Sequence, residues 1–264
     1  MFNAVLTDGI YKTDESHETS VFADKIASKK TIILTLAVVS ILLATSGFMI
    51  YESFFKSNDR TTNAQKAIRS VVEIECGNGS IASTGTGFVI EHCGKKILTN
   101  AHIVVYDLAG TYYIYETIEG RFFNSMQTYA LSVISYDRNA DIALLEFKDA
   151  IPDVPALKIG NSNNLQYGQY LYTIGNAMGY GLAFTAGHVS SPLVKVISPD
   201  GRERMTVQTS LLINEGNSGG PLLTEDNEVV GIVAFRIKDG GGNTIIGMGF
   251  AIPSNSVLEF LMTI

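Results

Sequence analysis

The sequence predicts an all-β domain, a barrel or sandwich of antiparallel strands, behind one helix long enough to cross a membrane. Three observations carry this. One 21-residue run, residues 31–51, holds no charged side chain, which matches the roughly 20 residues a helix needs to span hydrocarbon. Beyond about residue 70, short apolar or alternating runs recur between Gly, Asn and Asp, with no long helical period among them. The composition, 46% hydrophobic and 17% charged with 25 Gly, is too apolar for a disordered chain and too glycine-rich for a helical bundle.

In order along the chain, residues 1–30 mix Asp8, Asp14, Glu15, Glu18 and Asp24 with few apolar residues and no period, and are expected to form a tail without regular structure. Residues 31–51 are the membrane helix. Lys25, Lys29 and Lys30 precede it, and Tyr51, Phe54 and Phe55 follow as interfacial aromatics do. A cleaved signal peptide is the competing reading, with Ala44 and Ser46 as a small-x-small site, but a 30-residue leader is long for that role. Lys29-Lys30 against the apolar run and Glu52 on its other flank place the N-terminus in the cytoplasm. The expected location is therefore the cell membrane, single-pass, with the C-terminal domain on the extracytoplasmic side. Residues 52–69 read as a polar stalk.

Residues 70–264 hold the strand-like runs: SVVEIEC, TGFVIEH, KILTNAHIVV, TYYIYETI, YALSVISY, IALLEF, YLYTIG, VSSPLVKVI, RMTVQTSLLI, EVVGIVAFRI and TIIGMGFAI. They divide into a first part at about 70–155 and a second at about 165–252, with a terminal helix at 254–262. There Ser256 and Glu259 have the spacing of a capping box. The formal charge of −7 sets the surface against phosphate, so no nucleic-acid partner is expected. Two cysteines, Cys76 and Cys93, make neither a disulfide scaffold nor a zinc module; whether they pair stays open. A cluster of Cys76, His92, Cys93 and His102 matches no standard zinc spacing, and no metal or other cofactor is expected.

The chemistry centres on GNSGGPL, where Ser218 stands among Gly216, Gly219 and Gly220. Glycine lets a backbone turn sharply and aim several N–H groups at one point, and beside a hydroxyl such groups hold the oxyanion of a tetrahedral intermediate. A serine is inert near neutral pH without a base and a group to orient that base. Of four histidines, His102 closes ILTNAH, where an apolar strand gives way to small polar residues; His17, His92 and His188 are less suitably placed. Asp141 stands between the turn-like DRNA and the buried run IALLEF, where a carboxylate is costly unless it accepts a hydrogen bond. Asp137 is a rival acid four residues earlier. The order His102, Asp141, Ser218 separates this arrangement from α/β-hydrolases and subtilisins and agrees with the chymotrypsin group.

On these blocks residues 70–260 resemble a trypsin-like serine protease domain of the HtrA/Deg type. TGTGFVI with ILTNAHIV resembles the histidine motif, DRNADIALLEF the aspartate motif, and QTSLLINEGNSGGPLL the serine motif. LKIGNSNNLQYGQYLYTIGNAMG, VVGIVAF and GMGFAIPSNSV resemble the central and closing blocks. The resemblance implies two six-stranded antiparallel barrels with the active site in the cleft between them. It implies Ser218 as nucleophile, His102 as general base and acid, Asp141 as its orienting carboxylate, and the N–H groups of Gly216 and Ser218 as oxyanion hole. It places Leu212 at the base of the specificity pocket, with Ile213 and the strand through Ala234 lining it. An apolar base cannot neutralise Lys or Arg, so small or aliphatic residues are expected before the scissile bond.

Three departures qualify the resemblance. Most relatives carry a PDZ domain after the protease, and none follows the terminal helix here. Ser210 stands where many relatives have an acid. The aromatics that build trimers in the family correspond to Tyr51, Phe54 and Phe55, beside the apolar run, which leaves homo-oligomerisation open. The expected function is an endopeptidase acting on extended or unfolded polypeptides through an acyl-enzyme; the alternative is a latent or inactive protease-fold peptide-binding protein at the membrane.

Overall fold

The computed structural model describes residues 15–149 and 151–264. The chain divides into two compact units, Met1–Asn58 and Asp59–Ile264. In the first unit the described residues are helical: helix α1 (Glu15–Ala67) starts there and ends in the second. Its stretch Ser28–Tyr51 is long and apolar enough to cross a membrane, with none of it buried in protein. Ile33, Leu36 and Leu43 stand exposed, which suits lipid and not a protein core. A helix near the N-terminus of this kind fits a membrane anchor or a signal segment.

In the second unit the chain enters β1 (Val71–Gly77), β2 (Ala82–Glu91) and β3 (Lys95–Thr99), then the single turn α2 (Ala101–Val104). A hairpin of β4 (Val105–Leu108) and β5 (Thr111–Ile114) follows, then β6 (Thr117–Phe122), β7 (Thr128–Asp137) and β8 (Ile142–Phe147). Six of these strands close a barrel in the order β1-β2-β3-β8-β7-β6, all antiparallel. Its interior is filled by Val72, Ile74, Val89, Ile97 and Leu145.

The rest forms β9 (Lys158–Ile159), β10 (Tyr170–Gly175), β11 (Ala183–Ile197), β12 (Glu203–Thr209), β13 (Pro221–Leu223), β14 (Glu228–Lys238) and β15 (Thr244–Pro253), followed by helix α3 (Ser254–Leu261). The sheet order is β13-β10-β11-β12-β15-β14-β9, and pairing of β13 with β14 closes a second ring of six strands. β9 lies outside the ring, parallel to β14. Leu171, Val189, Val207, Leu222, Val233 and Ala251 fill this second barrel.

A third cluster packs the barrels together and seats α3: Val71, Phe88, Leu98, Leu144, Tyr172, Ile232, Ile252 and Val257. This explains the apolar run Phe88–Ile90 of β2, since Val89 points into the first barrel while Phe88 and Ile90 point to the shared face, and neither side meets water.

The structure differs from several expectations for understandable reasons. Helix α1 runs through residues 15–30, expected without regular structure, and on through the polar stalk to Ala67; residues 1–14 lie outside the described residues. The run TYYIYETI splits into β5 and β6, on different sheets. Ser256 and Glu259 form no capping box. α3 begins two residues earlier, where Ser254 Oγ donates to the Gly160 carbonyl and accepts from Ser162 N–H, tying the helix to the link between barrels. Cys76 and Cys93 are both free. Cys76 faces Ser83 at the start of β2 while Cys93 occupies the turn past its far end, so no bond can join them.

Candidate active site

Strand β3 delivers His102 to the surface. Thr99 and Asn100 are wholly buried, and the chain then turns into α2. Asp141 sits in the turn between β7 and β8 in the left-handed conformation, φ +61°, which Asp tolerates better than most side chains. Two contacts hold it there. Asn100 Nδ2 donates to the Asp141 carbonyl at 2.8 Å, and the His102 backbone N–H donates to Asp141 Oδ1 at 3.0 Å. The imidazole meets the same carboxylate, Nδ1 lying 2.9 Å from Oδ2 and 3.1 Å from Oδ1.

The side chain of Asp141 is 8% exposed and that of His102 is 47% exposed, so the carboxylate is sheltered while the ring reaches solvent. Desolvation pulls the His102 pKa down, but the charge and hydrogen bond of Asp141 outweigh it and the net shift is upward. Arg204 opposes that rise and Asp200 adds to it. Asp137, the rival acid, is a turn residue: its Oδ1 accepts from the N–H groups of Asn139 and Ala140. His92 and His188 lie elsewhere, the first in the β2–β3 turn and the second against Tyr170. Among the described residues no group of His, Cys, Asp and Glu is placed to hold a metal ion.

The GNSGG turn is built by its neighbours as much as by its glycines. Gly216 has φ +91° and Gly219 φ +86°. A Cβ on Gly216 would stand 1.9 Å from the Asn176 carbonyl oxygen, and one on Gly219 2.0 Å from that of Thr86. Three carbonyls of the turn are held by N–H or hydroxyl donors. Met178 N–H takes Glu215 O at 2.7 Å, Thr86 N–H takes Ser218 O at 2.9 Å, and Thr86 Oγ1 takes Gly216 O at 2.6 Å. The N–H groups of Gly216 and Ser218 have no acceptor among the described residues, and an oxyanion hole needs unclaimed donors of this kind.

Ser218 Oγ donates to the Ala234 carbonyl at 2.8 Å and makes no hydrogen bond to His102. His102 and Asp141 line a cleft of about 350 Å³ together with Pro199, Asp200, Arg204, Phe235 and Ala234, the residue whose carbonyl holds the serine. A larger groove of about 880 Å³, lined by Arg60, Phe123, Tyr170 and Phe184 among others, contains none of the three chemical residues and offers no base to a nucleophile.

Around the expected specificity pocket, Leu211 and Ile213 are buried while Leu212 is 54% exposed. Leu212 therefore faces solvent and does not form the base of an enclosed pocket. Ile213 turns inward, close enough that a Cβ on Gly249 would stand 2.4 Å from its Cδ1. Arg236, two residues beyond Ala234, donates to the Ile213 carbonyl at 3.2 Å and pairs with Glu215 at 3.4 Å, bracing the segment before the nucleophile. Sequence reasoning missed Thr86, Asn100, Arg204 and Arg236. Only Thr86 left a signal, lying between two glycines in TGTGF: a Cβ on Gly85 would meet Ile103 and one on Gly87 would meet Ile74 and Ile97, so this strand is packed unusually closely.

Comparison with known proteins agrees with this geometry. A family model described as the trypsin-like peptidase domain matches residues 85–232. A probable periplasmic serine endoprotease, DegP-like, of Marinomonas sp. (strain MWYL1) is 36% identical over 181 residues, covering 69% of this chain and 35% of that protein. The periplasmic serine endoprotease DegP of Salmonella typhimurium is 34% identical over 185 residues, 69% of this chain and 36% of its own. Serine protease HTRA1 of Xenopus tropicalis is 34% identical over 182 residues, 68% and 36% respectively. The chain thus spans about 35% of the length of the curated relatives it matches. Among solved structures, the HtrA-type protease AlgW with tripeptide superposes with a TM-score of 0.65 at 25% identity, covering 77% of this chain and 62% of that one. On the family match, the two closed rings and the ordered motifs, the chain belongs to the trypsin-like peptidase family, in its DegP/HtrA group.

Proposed function

We propose that this chain is a serine endopeptidase, carried on a single membrane-spanning helix with the protease unit on the extracytoplasmic side, that cleaves extended or unfolded polypeptides through an acyl-enzyme. The observation that carries the reading is the His102–Asp141 pair at 2.9 Å, lining a cleft with Ala234, whose carbonyl accepts from Ser218 Oγ at the turn with two unclaimed N–H groups. In the proposed cycle, His102 Nε2 takes the Ser218 proton as Oγ attacks the scissile carbonyl. The N–H groups of Gly216 and Ser218 hold the oxyanion, and the imidazolium, steadied by Asp141, returns the proton to the leaving amine. Water then attacks the ester by the same base catalysis, releasing the new carboxyl end and restoring the serine. An extended peptide fits as an added strand beside β14, with backbone hydrogen bonds giving affinity. The inward-facing Ile213 favours small or aliphatic side chains before the scissile bond.

One observation favours a second reading. The Ser218 hydroxyl is engaged by Ala234, as expected of a latent or purely peptide-binding member of the fold. The test is hydrolysis of a reduced, unfolded protein substrate by the detergent-solubilised full chain beside Ser218→Ala. Cleavage by the wild type alone, with cuts after Ala, Val, Ile or Leu, supports the peptidase; peptide binding with no cleavage by either supports the second reading.

A further inference from the structure

A buried arginine crosses from the second barrel to the turn that carries Asp141. Arg204 stands on β12 with 6% of its side chain exposed, and its guanidinium is fully engaged. Nε donates to the Asn139 carbonyl at 2.8 Å and Nη2 to the Arg138 carbonyl at 2.9 Å. On its other side it grips Asp200 in two places, Nη1 to Oδ1 at 2.6 Å and Nη2 to Oδ2 at 2.8 Å, and Nη1 also donates to Ser198 Oγ. Asp200 is held further by Arg202 at 2.6 Å, so the tip of the β11–β12 hairpin is rigid around this one cation.

The two carbonyls it takes belong to the residues two and three places before Asp141. Asp137 caps that turn from within and Asn100 holds its far end, but among the described residues it is Arg204 that binds its two central carbonyls. A planar, five-donor group buried at the junction of two barrels suits this task, because it fixes direction as well as distance.

We propose that Arg204 is a positioning residue for the reaction: it holds the Arg138–Asn139 backbone so that Asp141 stays in the left-handed conformation from which its carboxylate reaches His102. This rests on the peptidase reading above. It makes the β11–β12 hairpin part of the active-site support, so changes at Pro199–Gly201 reach His102 through Asp200 and Arg204. The same cluster sets part of the electrostatic environment of the imidazole. Facing His102 are Asp141 from the β7–β8 turn, Arg138 from that turn, Asp200, Arg202 and Arg204 from the hairpin and β12, Asp107 from β4 and Tyr112 from β5.

The test compares full-chain Arg204→Lys, Arg204→Met and the double variant Arg204→Met/Asp200→Asn with wild type. Three readouts are taken: kcat and KM on an unfolded protein, the NMR titration midpoint of His102, and the low-field Nδ1 proton shared with Asp141. In Arg204→Met we expect kcat to fall about tenfold or more with KM changed less than about twofold. The low-field proton weakens or vanishes, and the His102 midpoint rises because the Arg204 charge that opposes protonation is gone. In the double variant the midpoint returns toward wild type while kcat stays low, because the carbonyls remain unheld. Arg204→Lys keeps a cation, so it holds the midpoint while losing kcat, and it carries the test should the methionine variants not fold. Wild-type kcat and an unchanged low-field proton in folded Arg204 variants overturn the proposal. The NMR readouts need no turnover, so a wild type with no activity sinks the peptidase reading while loss of the proton in the variants still supports the positioning role.

Discussion

The Ser218 hydroxyl donates to the Ala234 carbonyl at 2.8 Å, and Ala234 lines the same cleft as His102. On the proposed binding mode, an extended peptide beside β14 would need such an oxygen to accept its N–H and would compete with the serine for one acceptor. Binding the peptide would then free the hydroxyl to turn toward the imidazole.

This coupling predicts that a peptidyl phosphonate reacts faster at saturation than a non-peptidyl fluorophosphonate. Remote contacts then raise the rate of the chemical step as well as the affinity. Inactivation kinetics over a range of inhibitor concentration check it: we expect the limiting rate constant to rise about tenfold or more, and a gain confined to the half-saturating concentration contradicts the coupling.

The raised pKa of His102 gives activity and stability opposite pH preferences. The base acts only when neutral, so the acid limb of kcat/KM lies above the ordinary histidine range of about 6.5. The His102–Asp141 attraction stabilises the fold fully below the unfolded-chain pKa and is lost as pH rises through the folded value. A pH–rate profile and melting curves of wild type beside His102→Ala check both signs. In Asp141→Asn the acid limb moves down and kcat drops by about 10⁴-fold as the imidazole loses its orienting acceptor.

Gly216→Ala is expected to destroy both the site and part of the stability. The new methyl group would collide with the Asn176 carbonyl, and the left-handed backbone adds strain of about 1–3 kcal/mol. Urea unfolding and turnover measure the two effects, and a folded, fully active Gly216→Ala enzyme contradicts the oxyanion geometry described here. Gly240→Ala, with open space around it, is the matched control.

The inward turn of Ile213 and outward turn of Leu212 predict opposite outcomes for two adjacent substitutions. Ile213→Ala should broaden the residue accepted before the scissile bond toward Met and Phe, at a cost in stability of about 2–5 kcal/mol. Leu212→Ala should leave both within about 0.5 kcal/mol of wild type. Cleavage-site profiling by mass spectrometry, together with urea unfolding, decides between them.

What was legible in the sequence was local or ordered. The serine turn is marked by its own glycines, and His102 and Asp141 by strand ends and by their order in the chain. The barrels were legible as runs of alternating residues, although the division between β5 and β6 depends on a sheet change that no alternation reveals. What was illegible depends on distant contacts. Thr86 Oγ1 meets Gly216 O across 130 residues of chain, and Arg204 meets Arg138 O across 66; nothing near either residue announces the partner. Leu212 and Ile213 are one residue apart, and which of them faces inward is set by the backbone that Arg236 braces. Helix α1 extends through polar, aperiodic sequence because propagation adds one hydrogen bond per residue once a long apolar helix has nucleated.

The central claim is that Ser218 becomes a nucleophile only through His102. Peptide mapping by mass spectrometry after incubation with a fluorophosphonate tests it most directly, using wild type, His102→Ala and Ser218→Ala. The account predicts a single phosphonyl adduct on Ser218 of the wild type, slowed by several powers of ten in His102→Ala and absent in Ser218→Ala. An adduct on another residue, or equal labelling with and without His102, contradicts it.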